Sequence, residues 1–202
     1  MLSFEQLTFE IGKRNFFSSI NMTLLPTSIV YLQGPNSCGK TSLLRMISGM
    51  QNPTKGRVLY RALECEEVKK PYCNYIGHNI GLKSQITILE HLQFWSKIYG
   101  AIELLEPTIY YFKLHNVLRE KCYTLSAGNQ KKVALAKLML CQTDLWLLDE
   151  IEANLDQENK ALLYNLIISK ANNGGIIILT SHMHPMITTG QIINLQEYSA
   201  DY

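Results

Sequence analysis

The sequence predicts an α/β fold in which a helical segment interrupts a parallel sheet. Three observations lead to this prediction: short apolar runs that end in polar loops, helical periodicity between those runs, and a long middle stretch that is mostly helical. The length of 202 residues suits one domain. We therefore predict a core formed by residues 1–82 and 142–202, and an inserted helical subdomain formed by residues 83–141.

Strands around one short helix make up the first third of the chain. A strand pattern opens the chain and turns at residues 12–15, which predicts antiparallel strands at the N-terminus. An apolar run at residues 28–32 ends in a glycine-rich loop, and a helix is predicted over residues 41–48, where Gly49 ends it. The strands predicted after this helix are residues 57–60 and 72–76.

Helices fill the middle of the chain before strands return. Apolar residues recur there at helical spacing, namely Ile88, Leu89, Leu92 and Trp95. Further helices are predicted over residues 131–140 and 158–171, and the second of these separates strands at 144–148 and 176–180. Parallel strands joined by helices are typical of an α/β sheet.

Composition excludes several function classes. The 19 basic and 17 acidic residues leave a net charge of +2, so we expect no nucleic-acid partner. No apolar run of about 18 residues occurs, and the N-terminus lacks a secretory pattern, so neither a transmembrane helix nor a signal peptide is predicted. The five cysteines are odd in number and form no CxxC motif, which favours reduced thiols in the cytosol.

A phosphate-binding loop is the most specific motif of the sequence. Residues 34–41 read GPNSCGKT and match the pattern GxxxxGK followed by Ser or Thr, between a predicted strand and a predicted helix. Glycines let backbone N–H groups surround phosphates, Lys40 can reach the β- and γ-phosphates, and the hydroxyl of Thr41, or of Ser42 beside it, can bind Mg²⁺. The predicted nucleotide contacts are Gly34, Pro35, Asn36, Ser37, Cys38, Gly39, Lys40, Thr41 and Ser42.

Two carboxylates stand at the end of a later apolar strand, in the segment LWLLDE at residues 145–150. Asp149 is placed where it can hold Mg²⁺ through water, and Glu150 where it can polarise an attacking water as a general base. A polar strand end is common by itself. Together with the phosphate loop upstream, it predicts nucleotide hydrolysis.

Two more motifs complete a recognisable set. Residues 125–130, LSAGNQ, precede a helix, and residues 180–182, TSH, follow the last predicted strand. With the loop and the acidic strand end, these four motifs in this order resemble the ATP-binding cassette ATPases, whose signature is LSGGQ. The resemblance spans essentially the whole chain and implies a P-loop, RecA-like core with ATP and Mg²⁺ as ligands.

The resemblance also implies a homodimer, or a pseudo-dimer, with two ATP molecules at the interface. Ser126 and Gly128 of one subunit would then contact the γ-phosphate held by the other, because a helix N-terminus offers N–H groups to an anion. His182 would contact the γ-phosphate and help to position water. Residues 153–156, ANLD, match the segment that crosses the interface. The predicted catalytic residues are Lys40, Glu150 and His182.

Several positions depart from the pattern of that family. Ile151 stands where proline is usual, Ala127 replaces a signature glycine, and Asn129 replaces the signature glutamine. The glutamine that normally approaches the metal is replaced as well: His78 falls at its position, with Asn79 beside it. The predicted metal ligands are Thr41, Asp149 and His78.

The aromatic residue that stacks on adenine in the family has no obvious counterpart in this sequence. By spacing, its position falls on Ile11, with Phe9 two residues earlier on the same strand face.

Several segments look like one branch of the family, the ATP-binding subunits of the cytochrome c maturation system. They are residues 77–83, 89–94, 125–136, 145–150 and 174–182. The resemblance implies a peripheral ATPase at the cytoplasmic face of the inner membrane, docked on an integral membrane permease subunit, with hydrolysis energising haem handling or export. Aromatic residues at 94–95 and 110–112 would suit that docking if they are exposed.

Other functions stay open at this point. The chain could serve another small exporter of the family, or bind nucleotide with impaired hydrolysis, since Ile151 and His78 depart from the pattern. A soluble P-loop kinase or GTPase would not need residues 125–128, and cassettes acting on ribosomes or DNA usually carry duplicated cassettes or basic surfaces. Residues 181–186, SHMHPM, contain haem- and metal-ligand types, but His182 already has the switch role.

Overall fold

Two sheets and a group of helices make up the fold, in a computed structural model that describes residues 1–68, 72–77, 81–153, 155–181 and 187–199. The strands are β1 (Leu2–Ile11), β2 (Arg14–Leu24), β3 (Ile29–Gln33), β4 (Lys55–Tyr60), β5 (Leu63–Glu64), β6 (Cys73–Ile76), β7 (Leu145–Asp149), β8 (Ile176–Thr180) and β9 (Gln191–Asn194). The α-helices are α1 (Lys40–Ile47), α2 (Ile88–Ile98), α3 (Leu105–Tyr111), α4 (Ala127–Leu140) and α5 (Gln157–Asn172).

The first sheet is antiparallel and has the order β2-β1-β4-β5. Its first two strands form the hairpin that the turn at residues 12–15 predicts, with Gly12 at φ +61°. The inner face carries Leu2, Leu7 and Phe17, which are fully buried and pack in one cluster with α1 and part of the second sheet. Burial of these large side chains therefore joins the two sheets into one core.

The second sheet is parallel, with the order β6-β7-β8-β3-β9. Every residue of β7 and β8 is buried, which explains why both strands read as continuous apolar runs rather than alternating ones. The carboxyl ends of β3, β7 and β8 lie at one edge of the sheet. That edge brings the phosphate loop, the acidic pair and the residues after β8 together.

Helices α2, α3 and α4 follow one another between β6 and β7 and share a core that includes Ile88, Leu92, Ile109 and Leu135. Helix α2 begins with a capping box, in which the Thr87 side chain accepts from the Glu90 N–H and the Glu90 carboxylate accepts from the Thr87 N–H. The predicted α/β fold, with antiparallel strands at the N-terminus and a helical insertion, is confirmed. Along the described residues, no helix is both long and apolar enough to cross a bilayer.

One local prediction is wrong, and one strand was not predicted. Helix α4 begins at Ala127 and not at Lys131, because Ser126 is its N-cap and its hydroxyl accepts from the Asn129 N–H. Strand β9 is absent from the sequence prediction, because it has four residues, two of them polar at its ends. Its pairing with β3 comes from residues far away in the chain.

Candidate active site

Two glycines shape the phosphate loop. Gly34 has φ +142° and Gly39 has φ +103°, conformations that residues with a Cβ rarely adopt. Space is short as well: a Cβ on Gly34 would lie 2.7 Å from Cys38 Sγ, and one on Gly39 would lie 3.1 Å from the Phe17 ring. The glycine spacing in this motif is therefore a steric requirement of the loop.

Lys40 is the first residue of α1 and is only 7% exposed. Its ammonium donates to the carbonyl oxygens of Gly34, at 2.8 Å, and of Pro35, at 3.0 Å. The side chain therefore curls back across the loop that surrounds it. Because an ammonium carries three donors, it can also bond to phosphate oxygens placed in that loop.

Asp149 connects the acidic strand end to the loop. The Thr41 hydroxyl donates to Asp149 Oδ2 at 2.8 Å, although the two residues are 108 positions apart. Thr180 Oγ1 donates to the other carboxylate oxygen at 2.8 Å, and the Tyr75 hydroxyl lies 3.4 Å from Oδ2. Burial, and then the charge of Asp149, raise the pKa of Tyr75, so that its phenol stays a donor.

The oxygen pair formed by Thr41 and Asp149 fits a hard cation such as Mg²⁺, which takes few protein ligands and completes its shell with water and phosphate. Within the described ranges, no group of three or more His, Cys, Asp or Glu residues is arranged to hold a metal ion. The third predicted ligand, His78, lies outside the described residues, and so does Asn79.

Glu150 lies in a cleft of about 160 Å³ next to the phosphate loop. Its backbone takes a left-handed conformation, with φ +53°, and its N–H donates to Thr180 Oγ1 at 2.8 Å. The cleft is lined by Phe16, Asn36, Ser37, Gly39, Lys40, Thr41, Ser42 and Glu150. Much of the predicted loop and the predicted base therefore share one cleft, whereas His182 lies outside the described residues.

Sequence reasoning missed Phe16, the aromatic residue of this cleft. Phe16 is half-buried, and the Arg14 guanidinium lies 4.6 Å from its ring centroid. The residues favoured by spacing are placed differently: Ile11 is 59% exposed, and Phe9 is 5% exposed and packs on the Phe16 ring at 5.2 Å. The available signal was the strand period of two, which sends Phe17 into the core and Phe16 outward.

Sequence reasoning also missed Tyr75 and Thr180, which contact Asp149 from the neighbouring strands β6 and β8. Thr180 pairs with Asp149 in the strand register. That register depends on which strands are neighbours in the sheet, and no local pattern in the sequence reports it.

The signature segment, residues 125–130, lies apart from the cleft of the phosphate loop. Ser126 is exposed at the N-terminus of α4, and Gly128 is half-buried in its first turn. The Gln130 amide donates to the carbonyl oxygens of Cys122, at 3.3 Å, and Leu125, at 3.2 Å, which holds the preceding turn against the helix. Among the described residues that line the cleft, neither Ser126 nor Gly128 occurs.

Residues 17–153 match the protein family described as ABC transporter. A protein from Rickettsia bellii, named cytochrome c biogenesis ATP-binding export protein CcmA, is 54% identical over 195 residues, which are 96% of this chain and 100% of that protein. The protein of the same name from Histophilus somni is 35% identical and covers 98% of this chain and 94% of its own length.

Solved structures of low sequence identity share the fold. An ABC transporter ATP-binding protein from Pyrococcus furiosus has a TM-score of 0.85 and 24% identity, and the match covers 98% of this chain and 99% of that one. A dimeric ATP-binding cassette in a post-hydrolysis state, bound to ADP and phosphate, has a TM-score of 0.83 and 18% identity, over 96% of this chain and 94% of that chain.

Proposed function

Because the chain belongs to the ABC transporter family, we propose that it is the ATP-binding subunit of a cytochrome c biogenesis export complex, in which ATP hydrolysis energises haem handling or export. Identity of 54% across the full length of the Rickettsia bellii protein supports the pathway. One contact supports the chemistry: the 2.8 Å hydrogen bond from Thr41 to Asp149 joins the phosphate loop to the acidic strand end.

ATP would bind with its phosphates in the loop and its adenine against Phe16. Loop N–H groups and the Lys40 ammonium would hold the β- and γ-phosphates, since both are hydrogen-bond donors and Lys40 lines one cleft with residues of the loop. Thr41 and Asp149 would hold Mg²⁺, with His78 assigned to it from the family pattern. When bound, the ion would neutralise part of the negative charge of the phosphates.

Glu150 would take a proton from the attacking water, and His182 would stabilise the γ-phosphate from the segment after β8. The shared cleft of Glu150 and the phosphate loop supports this role, because general bases act within hydrogen-bond reach of their proton. A second copy of the chain would supply Ser126 and Gly128 to each nucleotide. Closing and reopening of this homodimer would transmit work to the membrane partner.

The Glu150→Gln variant tests the catalytic assignment. It removes the base but keeps the shape, so we expect ATP binding to persist while turnover falls at least about 100-fold. It should also accumulate as an ATP-dependent dimer in size-exclusion chromatography. Glu103→Gln, an exposed carboxylate in the helical segment, is the matched control. Undiminished phosphate release from Glu150→Gln would remove Glu150 as the base.

A second, more apolar cleft of about 480 Å³ is a candidate docking site for the permease. It lies where the end of α2 faces β5 and the start of β7, and it is lined by Tyr60, Arg61, Leu63, Val68, Tyr72, Ile98, Tyr99, Gln142, Thr143 and Asp144. Ile98 is 52% exposed at its rim. Of the predicted aromatic run, Phe94 and Tyr110 are exposed, Trp95 and Tyr111 are half-buried, and Phe112 is fully buried.

A charge substitution tests whether the permease docks in this cleft. Docking there would hold the chain at the cytoplasmic face of the inner membrane. Ile98→Glu should abolish recovery of the permease in an affinity pull-down from detergent-solubilised membranes while ATP binding is kept, because a buried unpaired charge opposes docking. Ile192→Glu, at an isoleucine of the same exposed fraction, 52%, but outside the cleft, is the control. Recovery of a different permease would indicate another exporter, and recovery of soluble proteins alone would favour a cassette outside transport.

A further inference from the structure

Glu152 is a buried carboxylate that lies two residues after Glu150 and is only 4% exposed. The Tyr164 hydroxyl donates to its Oε1 at 2.5 Å, and the Ser181 hydroxyl donates to its Oε2 at 2.5 Å. Both oxygens of Glu152 are therefore held.

These two bonds join three separate segments of the fold. Tyr164 lies on α5, Ser181 follows β8 directly, and Glu152 belongs to the turn after β7. Burial, and then the hydrogen bond to Glu152, raise the pKa of Tyr164, so its phenol remains a donor. A buried carboxyl group requires such partners, because burying a polar group without hydrogen bonds is costly.

The turn that Glu152 anchors also positions Glu150. Glu150 has φ +53°, and a backbone of this kind persists only where surrounding contacts hold it. Its N–H bonds to Thr180, and the N–H of Ala153 closes the turn onto the Glu150 carbonyl at 3.3 Å. Two adjacent residues at the end of β8, Thr180 and Ser181, thus hold the turn at two points, Glu150 and Glu152.

We propose that Glu152 is a positioning residue for ATP hydrolysis, which acts by anchoring the Glu150 turn to Ser181. The anchor keeps the left-handed backbone at Glu150 and so directs its carboxylate into the cleft of the phosphate loop. This inference rests on the proposed role of Glu150 as the base. The bond to Tyr164 fixes the carboxylate itself and is not the link to β8.

Two single-atom deletions separate positioning from simple stabilisation. Ser181→Ala removes the link to β8, and Tyr164→Phe removes the link to α5 while keeping the ring. In the full-length chain, Ser181→Ala should lower kcat for ATP about tenfold or more with KM unchanged, since small displacements of a reacting group cost that much. Tyr164→Phe should keep kcat within about twofold of the wild type. Urea unfolding of both variants reports their stability.

A double-variant comparison shows whether Ser181 acts through Glu152. Adding Glu152→Ala to Ser181→Ala should lower kcat no further than the more severe single variant does, because both remove one link. The inference would be overturned if the losses of kcat in Ser181→Ala and Glu152→Ala add up in the double variant. It would also be overturned if Tyr164→Phe loses as much kcat as Ser181→Ala. If the wild type hydrolyses ATP and Ser181→Ala has the same kcat, the positioning role of Glu152 is overturned but the proposed function is not. If the wild type does not hydrolyse ATP, the proposed function is overturned, and the inference with it.

Discussion

At the scale of single residues, Thr41 and Ser42 offer the same hydroxyl chemistry in neighbouring positions. Both line the cleft, and the hydroxyl of Thr41 bonds to Asp149 at 2.8 Å. Mg²⁺ binds oxygen ligands and uses few protein groups. We therefore propose Thr41 as its ligand, because the Thr41 hydroxyl already lies beside the Asp149 carboxylate.

Thr41→Ala should therefore weaken binding of Mg-ATP by about tenfold, the effect of losing one contact to a charged group. Calorimetric titration with and without EDTA measures this, and the difference from the wild type should shrink when Mg²⁺ is removed. Ser42→Ala is the matched control and should bind Mg-ATP nearly as tightly as the wild type. A larger loss in Ser42→Ala than in Thr41→Ala would reverse the assignment.

Phe16 is the second residue-scale prediction, because it supplies the only aromatic ring among the described residues that line the cleft. Phe16→Ala should raise the Kd for ATP about tenfold, since stacking of a base on an aromatic ring contributes ~1–3 kcal/mol. Ile11→Ala changes the residue at the position that spacing favours, and should leave the Kd unchanged. If Ile11→Ala raises the Kd for ATP more than Phe16→Ala does, Ile11 and not Phe16 is the residue that contacts adenine.

At the scale of elements, α2 contains a buried imidazole. His91 is 3% exposed, and its Nε2 accepts from Trp95 Nε1 at 3.2 Å. The Lys137 ammonium of α4 lies 4.0 Å from the centroid of the Trp95 ring. Burial, followed by the charges of Lys137 and Lys83, lowers the pKa of His91 from 6.5 to about 4.

Because of His91, the free energy of unfolding should decrease as the pH is lowered. Since the pKa of His91 is lower in the folded chain, the unfolded chain binds more protons below pH 6.5. The contribution of neutral His91 to the free energy of unfolding is present above pH 6.5 and is lost progressively as the pH falls to about 4. At about 1.4 kcal/mol per pH unit, it amounts to about 2 kcal/mol between pH 7 and pH 5.

Urea unfolding at pH 7 and pH 5 checks this prediction in the wild type and in His91→Gln. Glutamine keeps an acceptor for Trp95 but does not titrate, so the variant should lose about 2 kcal/mol less than the wild type over that interval. Equal losses in the two proteins would show that another group causes the pH dependence.

At the scale of the whole molecule, the cleft and the signature segment do not meet within one chain. The cleft is built from β2, the phosphate loop and the end of β7, whereas Ser126 is exposed at the start of α4. We therefore propose that the signature acts on the nucleotide of another copy, as the resemblance to the family implies.

Ser126→Arg tests this arrangement. A single chain should still bind ATP within about twofold of the wild-type Kd, because Ser126 does not line its own cleft. Hydrolysis should be lost, and in the Glu150→Gln background the ATP-dependent dimer should disappear from light-scattering chromatography, since a large cation blocks the interface. Ser169→Arg, at an exposed position of α5, is the control. Loss of ATP binding by the monomeric Ser126→Arg variant would contradict the arrangement.

The family, the α/β class and the phosphate loop can all be predicted from the sequence alone. The loop is readable because its function depends on the backbone of eight neighbouring residues, 34–41, and on two glycines that no other residue replaces without strain. The start of α4 was also within reach of the sequence, because Ser126 is an N-cap type.

Which side chains meet at the sheet edge depends on the tertiary fold. Tyr75 and Asp149 meet there, as do Phe16 and the phosphate loop, and Glu152 and Ser181. They come together because β6, β7, β8 and β3 are neighbours in one parallel sheet and β2 packs beside it. Strand order is a property of long-range burial, and residues 74 positions apart, such as Tyr75 and Asp149, leave no local pattern that reports it. The motifs are therefore local in sequence, whereas the catalytic geometry they form is a product of the whole fold.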